Sequence, residues 1–573
     1  MSEFDTPAHL ISLLVQLRKA LDDGYLPFAA ADANAARAER AAVIKQLDDY
    51  IVPRLVQIDA PLLTVVGGST GAGKSTLVNS LVGSRVTIPG VLRPTTRSPV
   101  LVHNVADAQW FGTDRLLPEL VRTDHATHDQ GTLQLVPTDR LPAGIAVLDA
   151  PDVDSVEERN RELAAELLAA ADLWLFVTSA ARYADQVPWD FLKSAAERST
   201  AVAIVLDRTT PAAVQEVSAH LTRMLEARGL GESTLFTVPE SVVDDEGLLP
   251  AEAVADIRGW LDDLASDATA RSAVVRKTLD GALSALGHRV RTVSRALRTQ
   301  EQIAAQLRND VLAAYADGLD AFDHATGDGT LLRGEVLARW QDFVGAGEFM
   351  RSLEDKVGRL RDRLVSAARG RTQPVQRLTV AVESGLETLI VEHAESAAER
   401  AALAWRSLPA GAQLLATAPG DITRASRDFR ARTEKAVREW QDDVLSLVRT
   451  EGAERRATAR FLAYGVNSLG VVLMIAVFSQ TAGLTGAEVG IAGGTAVLGQ
   501  RILEAVFGDQ AVRRLVDEAR RDLHRRVEED LLAPDRQRFL DLLEPRAVPV
   551  GAAQRILELS RDIESLRWEA RSV

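Results

Sequence analysis

The stretch Leu62 to Leu81, LLTVVGGSTGAGKSTLVNSL, constrains the fold of this chain more than any other. An apolar run, Leu62 to Val66, feeds a glycine loop, and Leu77, Val78 and Leu81 follow at helical spacing. That is the strand, loop and helix setting in which a phosphate-loop pattern has a mechanism. Gly68 and Gly73 let the backbone of Ser69, Thr70, Gly71 and Ala72 wrap phosphate oxygens with its N–H groups. Lys74 places a cation near the β- and γ-phosphates, and at the helix N-terminus Ser75, followed by Thr76, offers a hydroxyl to Mg²⁺.

Around that element the sequence from 61 to about 260 alternates short apolar runs with helical ones. The candidate strands after Leu62–Val66 are Pro99–His103, Ile145–Leu148, Leu173–Val177, Val202–Leu206 and Leu235–Val238, which predicts a doubly wound sheet with its site at the strand C-termini. Asp149 ends the Ile145–Leu148 strand, where a carboxylate can hold the Mg²⁺ shell opposite Ser75. Arg93-Pro94-Thr95-Thr96 lies between the two, placed for a switch threonine to close on the metal when a γ-phosphate is present. In isolation Asp149 would be a helix cap and the Pro-Thr-Thr a turn; the phosphate loop gives both their functional reading.

Composition bounds the rest. At 573 residues the chain exceeds one core. A net charge of −15 argues against nucleic acid as a general partner. The absence of cysteine excludes disulfides, thiol catalysis and thiolate metal sites. The start, MSEFDTPAHL, has neither the basic end nor the apolar core of a secretion signal, so a cytoplasmic location is expected.

The remainder reads as helical. Leu10, Leu13, Leu14, Leu17 and Leu21 form one N-terminal face and Val43, Leu47, Ile51 and Leu55 a second, either capping the α/β domain or joining a separate bundle. Later faces are Ile303, Leu307, Val311, Tyr315, Leu319 and Phe322; Leu353, Val357, Leu360 and Leu364; and Ile422, Phe429, Ala436, Trp440, Val444 and Leu447. Such faces need partners, and a helical bundle supplies them. From Phe461 to Ala487 there is no charged residue, and FLAYGVNSLGVVLMIAVFS would span roughly 28 Å as a helix against a hydrocarbon core of about 30 Å. Arg455, Arg456 and Arg460 precede it and Arg501, Arg513 and Arg514 follow, so both flanks of a hairpin would stay on the cytoplasmic side of the membrane. The competing reading is a buried hairpin of a soluble bundle, which Glu488 and the glycines favour. The expected layout is therefore N-terminal helices over 1–60 joining the bundle, an α/β domain over 61–265, a helical bundle or stalk over 266–460, an apolar membrane-contacting tip over 461–507, and returning helices over 508–573.

Taken together, GGSTGAGKST, the switch Pro-Thr-Thr, DAPD after an apolar strand and ADLWLFVTSAARYAD resemble the large GTPases of the dynamin superfamily, most of all their actinobacterial branch. The resemblance covers the nucleotide domain motif by motif and the rest only as a layout of long helices around an apolar tip. It implies a P-loop GTPase head on a helical stalk, GTP and Mg²⁺ as ligands, and catalysis through Lys74, Ser75, Thr95, Thr96 and Asp149, with Ser75, Thr95, Thr96 and Asp149 around the metal. It further implies pairing of heads between copies or with a related partner, action at the inner face of the cell membrane, and a role in division or septation.

Three departures stand against that pattern. Thr70-Gly71 replaces the Gln-Ser pair of the eukaryotic members, and Asp149-Ala-Pro ends in Asp152 where the family has glycine, adding a carboxylate that would repel a γ-phosphate. Asp207-Arg208-Thr209-Thr210 stands where [NT]KxD should follow the Val202–Leu206 strand. Asp207 takes the place of the Asn or Thr, and the guanidinium of Arg208 could stack on a base as the family's lysine does. The guanine-reading carboxylate is missing. Two rivals remain open: a nucleotide-gated membrane scaffold with little hydrolysis, and an ATP-dependent regulatory P-loop protein.

Overall fold

The computed structural model describes residues 5–87, 98–344, 372–454, 466–478 and 500–571, apart from 113–116, 118, 128, 156, 198–199, 211, 333, 501–502 and 505. The chain divides into two compact units, one formed by residues 31–299 with the stretches up to Leu26 and from Val548 onward, the other by residues 27–30 and 300–547. The fold class is an α/β sheet domain with a long helical region, as the alternation and the helical periods require.

In the first unit eight strands form one sheet. They are β1 (Leu62–Gly68), β2 (Val100–His103), β3 (Val121–Thr123), β4 (Thr132–Pro137), β5 (Ile145–Asp149), β6 (Leu173–Ser179), β7 (Ala201–Thr209) and β8 (Thr234–Pro239), in the order β3-β4-β2-β5-β1-β6-β7-β8. All neighbours are parallel except β2 and β5. β1 lies between β5 and β6 and every one of its residues is buried, which is why it reads as an unbroken apolar run. Its side chains nonetheless alternate between two cores: Leu62 and Val66 join one layer with Leu173, Leu175 and Val177, and Leu63 and Val65 join the other with Trp174 and Phe176.

The first of those layers determines where this unit ends. Leu13, Leu14, Leu17 and Leu21 of the helix Asp5–Asp23, Val43 and Ile51 further on, Leu279 and Leu286 of the helix Ala268–Gly327, and Ile556 and Ile563 of the helix Ala552–Arg571 all share a core with the strands. The unit therefore differs from the expected 61–265. The expected boundary near 266 falls only at a break between the helices Ala255–Ser266 and Ala268–Gly327, and apolar residues on either side, Leu261 and Leu279, share one core. A buried polar cluster ties the N-terminal helices to the sheet: Asp172, before β6, accepts from Tyr50 Oη at 3.2 Å and Leu63 N at 2.9 Å and pairs with Arg54 Nε at 3.0 Å.

The second unit is helical, with Glu335–Val344, Thr372–Arg406, Pro409–Ala416, Phe429–Glu454, Val466–Val477, Asp509–Arg525 and Ala533–Leu543 packed with the part of the long helix that follows residue 300. Leu307, Val311, Tyr315 and Phe322 are buried here, as are Phe429, Trp440 and Val444. The indole N–H groups of Trp405 and Trp440 donate to Leu307 O at 2.9 Å and Ala519 O at 2.8 Å, so both bulky rings are buried without an unpaired donor.

Leu469 to Val477 is buried at every residue within this core. Phe478 stands 5.8 Å from Trp440 between ring centroids, and Arg520 Nη2 donates to Val477 O at 2.6 Å. Residues 469–478 of the apolar stretch thus pack in this core, and among the described residues no helix is long and apolar enough to cross a membrane. The remainder of the expected tip between 479 and 499, the Leu353–Leu364 face and the Thr95–Thr96 switch lie outside the described residues.

Candidate functional site

The phosphate loop leaves the sheet at a point that only glycine can occupy. Gly68 has φ +147°, and a Cβ there would stand 1.9 Å from Val177 O of the neighbouring strand. Gly71 and Gly73 follow with φ of +73° and +96°, reversing the chain into the helix Lys74–Val82. The first-turn N–H groups of that helix have no acceptor within it and face the loop, so the dipole and the donors both favour an anion.

Three side chains meet at the loop. Lys74 is buried and its Nζ donates to Gly68 O and Ser69 O, each at 3.1 Å. Ser75 Oγ donates to Asp149 Oδ2 at 2.7 Å. The register places Asp149 opposite Val66, so the pair joins the C-terminal ends of two adjacent strands. Burial pushes the Asp149 carboxyl up to about 6, against the pull of the Ser75 hydroxyl and the Lys74 charge. Its Oδ1 has no hydrogen-bond partner among the described residues. A buried carboxylate oxygen without a partner beside an alcohol oxygen is a hard donor set that suits Mg²⁺, an ion that takes few protein ligands and completes its shell with water and substrate phosphate.

Carboxylates from the segment after β5 reach back onto the loop. Val153 N donates to Gly68 O at 3.3 Å, fixing the segment along β1. Asp152 Oδ1 accepts a short hydrogen bond from Lys74 Nζ, inside the buried site. Asp154 Oδ1 accepts from both the N–H and the hydroxyl of Thr70, at 2.6 and 2.7 Å. Arg182, in the turn after β6, pairs with Asp154 Oδ2 at 2.7 Å and Asp185 Oδ2 at 2.8 Å and donates to Thr70 O at 2.8 Å. Burial alone would raise the Asp154 carboxyl, but the Thr70 hydrogen bonds and Arg182 bring it below the usual carboxylate range.

At the end of β7 the Asp207 carboxylate presses on the loop so closely that a Cβ on Gly73 would lie 2.1 Å from its Oδ2. Its Oδ1 accepts the Arg208 N–H at 2.7 Å, and burial raises the group to about 6. Arg208 itself is exposed and has φ +54°, a left-handed conformation that turns the chain sharply at the strand end.

Comparisons with known proteins place this arrangement in context. The chain is 27% identical over 143 residues to a probable transmembrane GTPase FZO-like, chloroplastic, of Arabidopsis thaliana. That overlap is 25% of this chain and 14% of the length of the plant protein. No family model matches. Among solved structures, one described as an oligomerised bacterial dynamin pair that provides a mechanism for long-range sensing and tethering of membranes aligns over 97% of this chain and 95% of its own, at 10% identity and a TM-score of 0.41. The LeoA bacterial dynamin GTPase from ETEC aligns over 100% of both chains at 13% identity and a TM-score of 0.24.

Of the residues singled out in the sequence, the structure brings together Gly68 to Ser75, Asp149 and Asp207 at one end of the sheet, while Arg208 lies beside them facing solvent. Thr95 and Thr96 fall outside the described residues. Asp154 and Arg182 were not singled out. A carboxylate two residues beyond Asp152, and an arginine three residues beyond Ser179 at the end of β6, were the available signals.

Proposed function

We propose that this chain is a dynamin-like GTPase that binds GTP with Mg²⁺ and releases its γ-phosphate by attack of water. The observation that carries the reading is the convergence of Lys74, Ser75 and Asp149 at the ends of β1 and β5, with Ser75 Oγ 2.7 Å from the carboxylate. Support comes also from the motif-by-motif resemblance of the head and from the description of the chloroplastic relative as a GTPase. In this reading the loop N–H groups hold the phosphate chain, Lys74 neutralises charge on its outer oxygens, and Asp149 orients the Ser75 hydroxyl. Ser75 and Asp149, with Thr95 or Thr96 from the switch, would hold Mg²⁺, which would supply neutralisation of the phosphate charge. Catalysis then rests on position and charge.

Beyond the chemistry we propose pairing of heads between copies, association with the cytoplasmic face of a membrane, and work in membrane remodelling, with the division septum as one setting. A second reading, a nucleotide-gated scaffold that scarcely hydrolyses, is favoured by the contact of Asp152 with Lys74. The test is phosphate release from GTP in Mg²⁺ by the full chain, with and without anionic liposomes, against Lys74→Ala. Turnover that the substitution abolishes supports the GTPase; tight GTP binding without turnover under either condition supports the scaffold; turnover and binding unchanged in Lys74→Ala removes the site.

A further inference from the structure

The contact between Lys74 and Asp152 has a consequence for which phosphate chain this site accepts. Lys74 is the loop's own cation, and its side chain is 5% exposed and that of Asp152 11%. Two of its donor directions go to Gly68 O and Ser69 O, and the third to Asp152 Oδ1. A phosphate oxygen that uses this cation must therefore replace a carboxylate oxygen already on it. Asp152 does not leave by simple backbone movement, because Val153 N is bonded to Gly68 O at 3.3 Å and the Val153 side chain is fully buried. The next carboxylate, Asp154, is pinned by Thr70 and Arg182. Before Asp152, Ala150 N donates to Val66 O at 3.2 Å, so the segment is held along β1 on both sides of Asp152, and rotation of the Asp152 side chain is the direct way to clear the cation.

The charge balance points the same way. Around the loop, Lys74 and Arg182 face five carboxylates, Asp149, Asp152, Asp154, Asp185 and Asp207, with Arg208 beside the last turned to solvent. A carboxylate freed from Lys74 in a buried site loses its partner and then faces the added phosphate as a like charge, both of which are costly at low dielectric. With Lys74 placed near the β- and γ-phosphates, as the phosphate-loop reading has it, the cost would fall mainly on the terminal phosphate of a triphosphate, since a diphosphate would leave Asp152 one side of Nζ.

We propose that Asp152 is an internal competitor for the terminal phosphate, a specificity-determining residue that holds the triphosphate-to-diphosphate preference of this site low until its carboxylate is displaced. The proposal rests on the reading of the site as a nucleoside-triphosphate site, and deepens it by naming the residue that selects between bound forms.

The experiment is calorimetric titration of the full chain in Mg²⁺ with a non-hydrolysable GTP analogue and with GDP. It compares the wild type, Asp152→Asn, which keeps the shape and removes the charge, and Asp152→Gly, which removes the side chain. Melting curves of all three show that they are folded. Triphosphate affinity is expected to rise at least about tenfold in both variants, the equivalent of about 1.4 kcal/mol, while diphosphate affinity changes by less than about threefold. An unchanged or lowered triphosphate-to-diphosphate ratio in both folded variants, with diphosphate still bound, overturns the role of Asp152 and leaves the site intact. Failure of the wild type and both variants to bind either nucleotide overturns the nucleotide site itself, and this inference with it.

Discussion

Replacing Asp207 by asparagine should make the α/β unit more stable at neutral pH and leave it nearly unchanged in acid. Asp207 is 5% exposed, its carboxylate lies against the backbone of Gly73, and burial raises its carboxyl from 3.8 to about 6. Between those two values the folded protein holds a proton that the unfolded chain has released, so stability falls as pH climbs through the window. Well below pH 3.8 both states are protonated and the cost vanishes; it grows through the window and is fully present well above pH 6. A difference of about 2 units at 1.36 kcal/mol each amounts to about 3 kcal/mol. Asparagine keeps the volume, and its amide oxygen can accept the Arg208 N–H that now goes to Oδ1, at 2.7 Å. The substitution should therefore stabilise by about 2 to 3 kcal/mol at pH 7.5 and by less than about 0.5 kcal/mol at pH 4. The assay is calorimetric melting of wild type and variant at both pH values, reading the transition of the α/β unit separately, because two units need not melt together. An equal effect at both pH values, or a loss of stability at pH 7.5, would refute the argument that a desolvated charge is held against the loop.

Asp149→Ala should weaken triphosphate binding in Mg²⁺ by at least about tenfold more than diphosphate binding, because the γ-phosphate depends most on the metal bridge; equal losses in calorimetry would make Asp149 structural. Leu473→Ala, at a fully buried position of the 466–478 stretch, should cost about 2 to 5 kcal/mol and lower the melting temperature of the helical unit without lipid. A variant that melts as the wild type does but no longer floats with anionic liposomes would show instead that Leu473 faces lipid.

How much of this was legible in the sequence follows from what each signal depends on. Six of the eight strands declared themselves because each carries a continuous apolar run, and the phosphate loop because its glycines answer a local backbone need at Gly68 and Gly73. β3 and β4 did not: Val121–Thr123 is three residues long and part exposed, and Thr132–Pro137 mixes buried and half-buried positions, so neither leaves a clear period. Asp149 was legible because it ends a strand that must lie beside β1. Asp154 and Arg182 act through the paths of two turns, and neighbouring residue types do not encode such paths. The stretch from 466 to 478 illustrates a different limit. Burying an aliphatic side chain yields a similar gain, about 1.5 to 3 kcal/mol, in a protein core as in lipid, so composition alone does not separate a buried hairpin from a membrane tip; residues 466–478 pack with Phe478 on Trp440, and 479–499 lie outside the described residues. The unit boundary was hidden for a related reason, since shared cores join segments as far apart as Leu17 and Ile556.

The central claim, a guanine nucleotide site on this loop, has its most direct test in calorimetric titration of the full chain with GTP and with ATP at equal Mg²⁺. The base-reading carboxylate is absent from Asp207-Arg208-Thr209-Thr210, so the outcome is decided by the exposed Arg208 and the surfaces around it. The account predicts saturable one-to-one binding of GTP that is lost in Lys74→Ala, with ATP bound at least about tenfold more weakly. Tighter binding of ATP than of GTP, or GTP binding that survives Lys74→Ala, would contradict it.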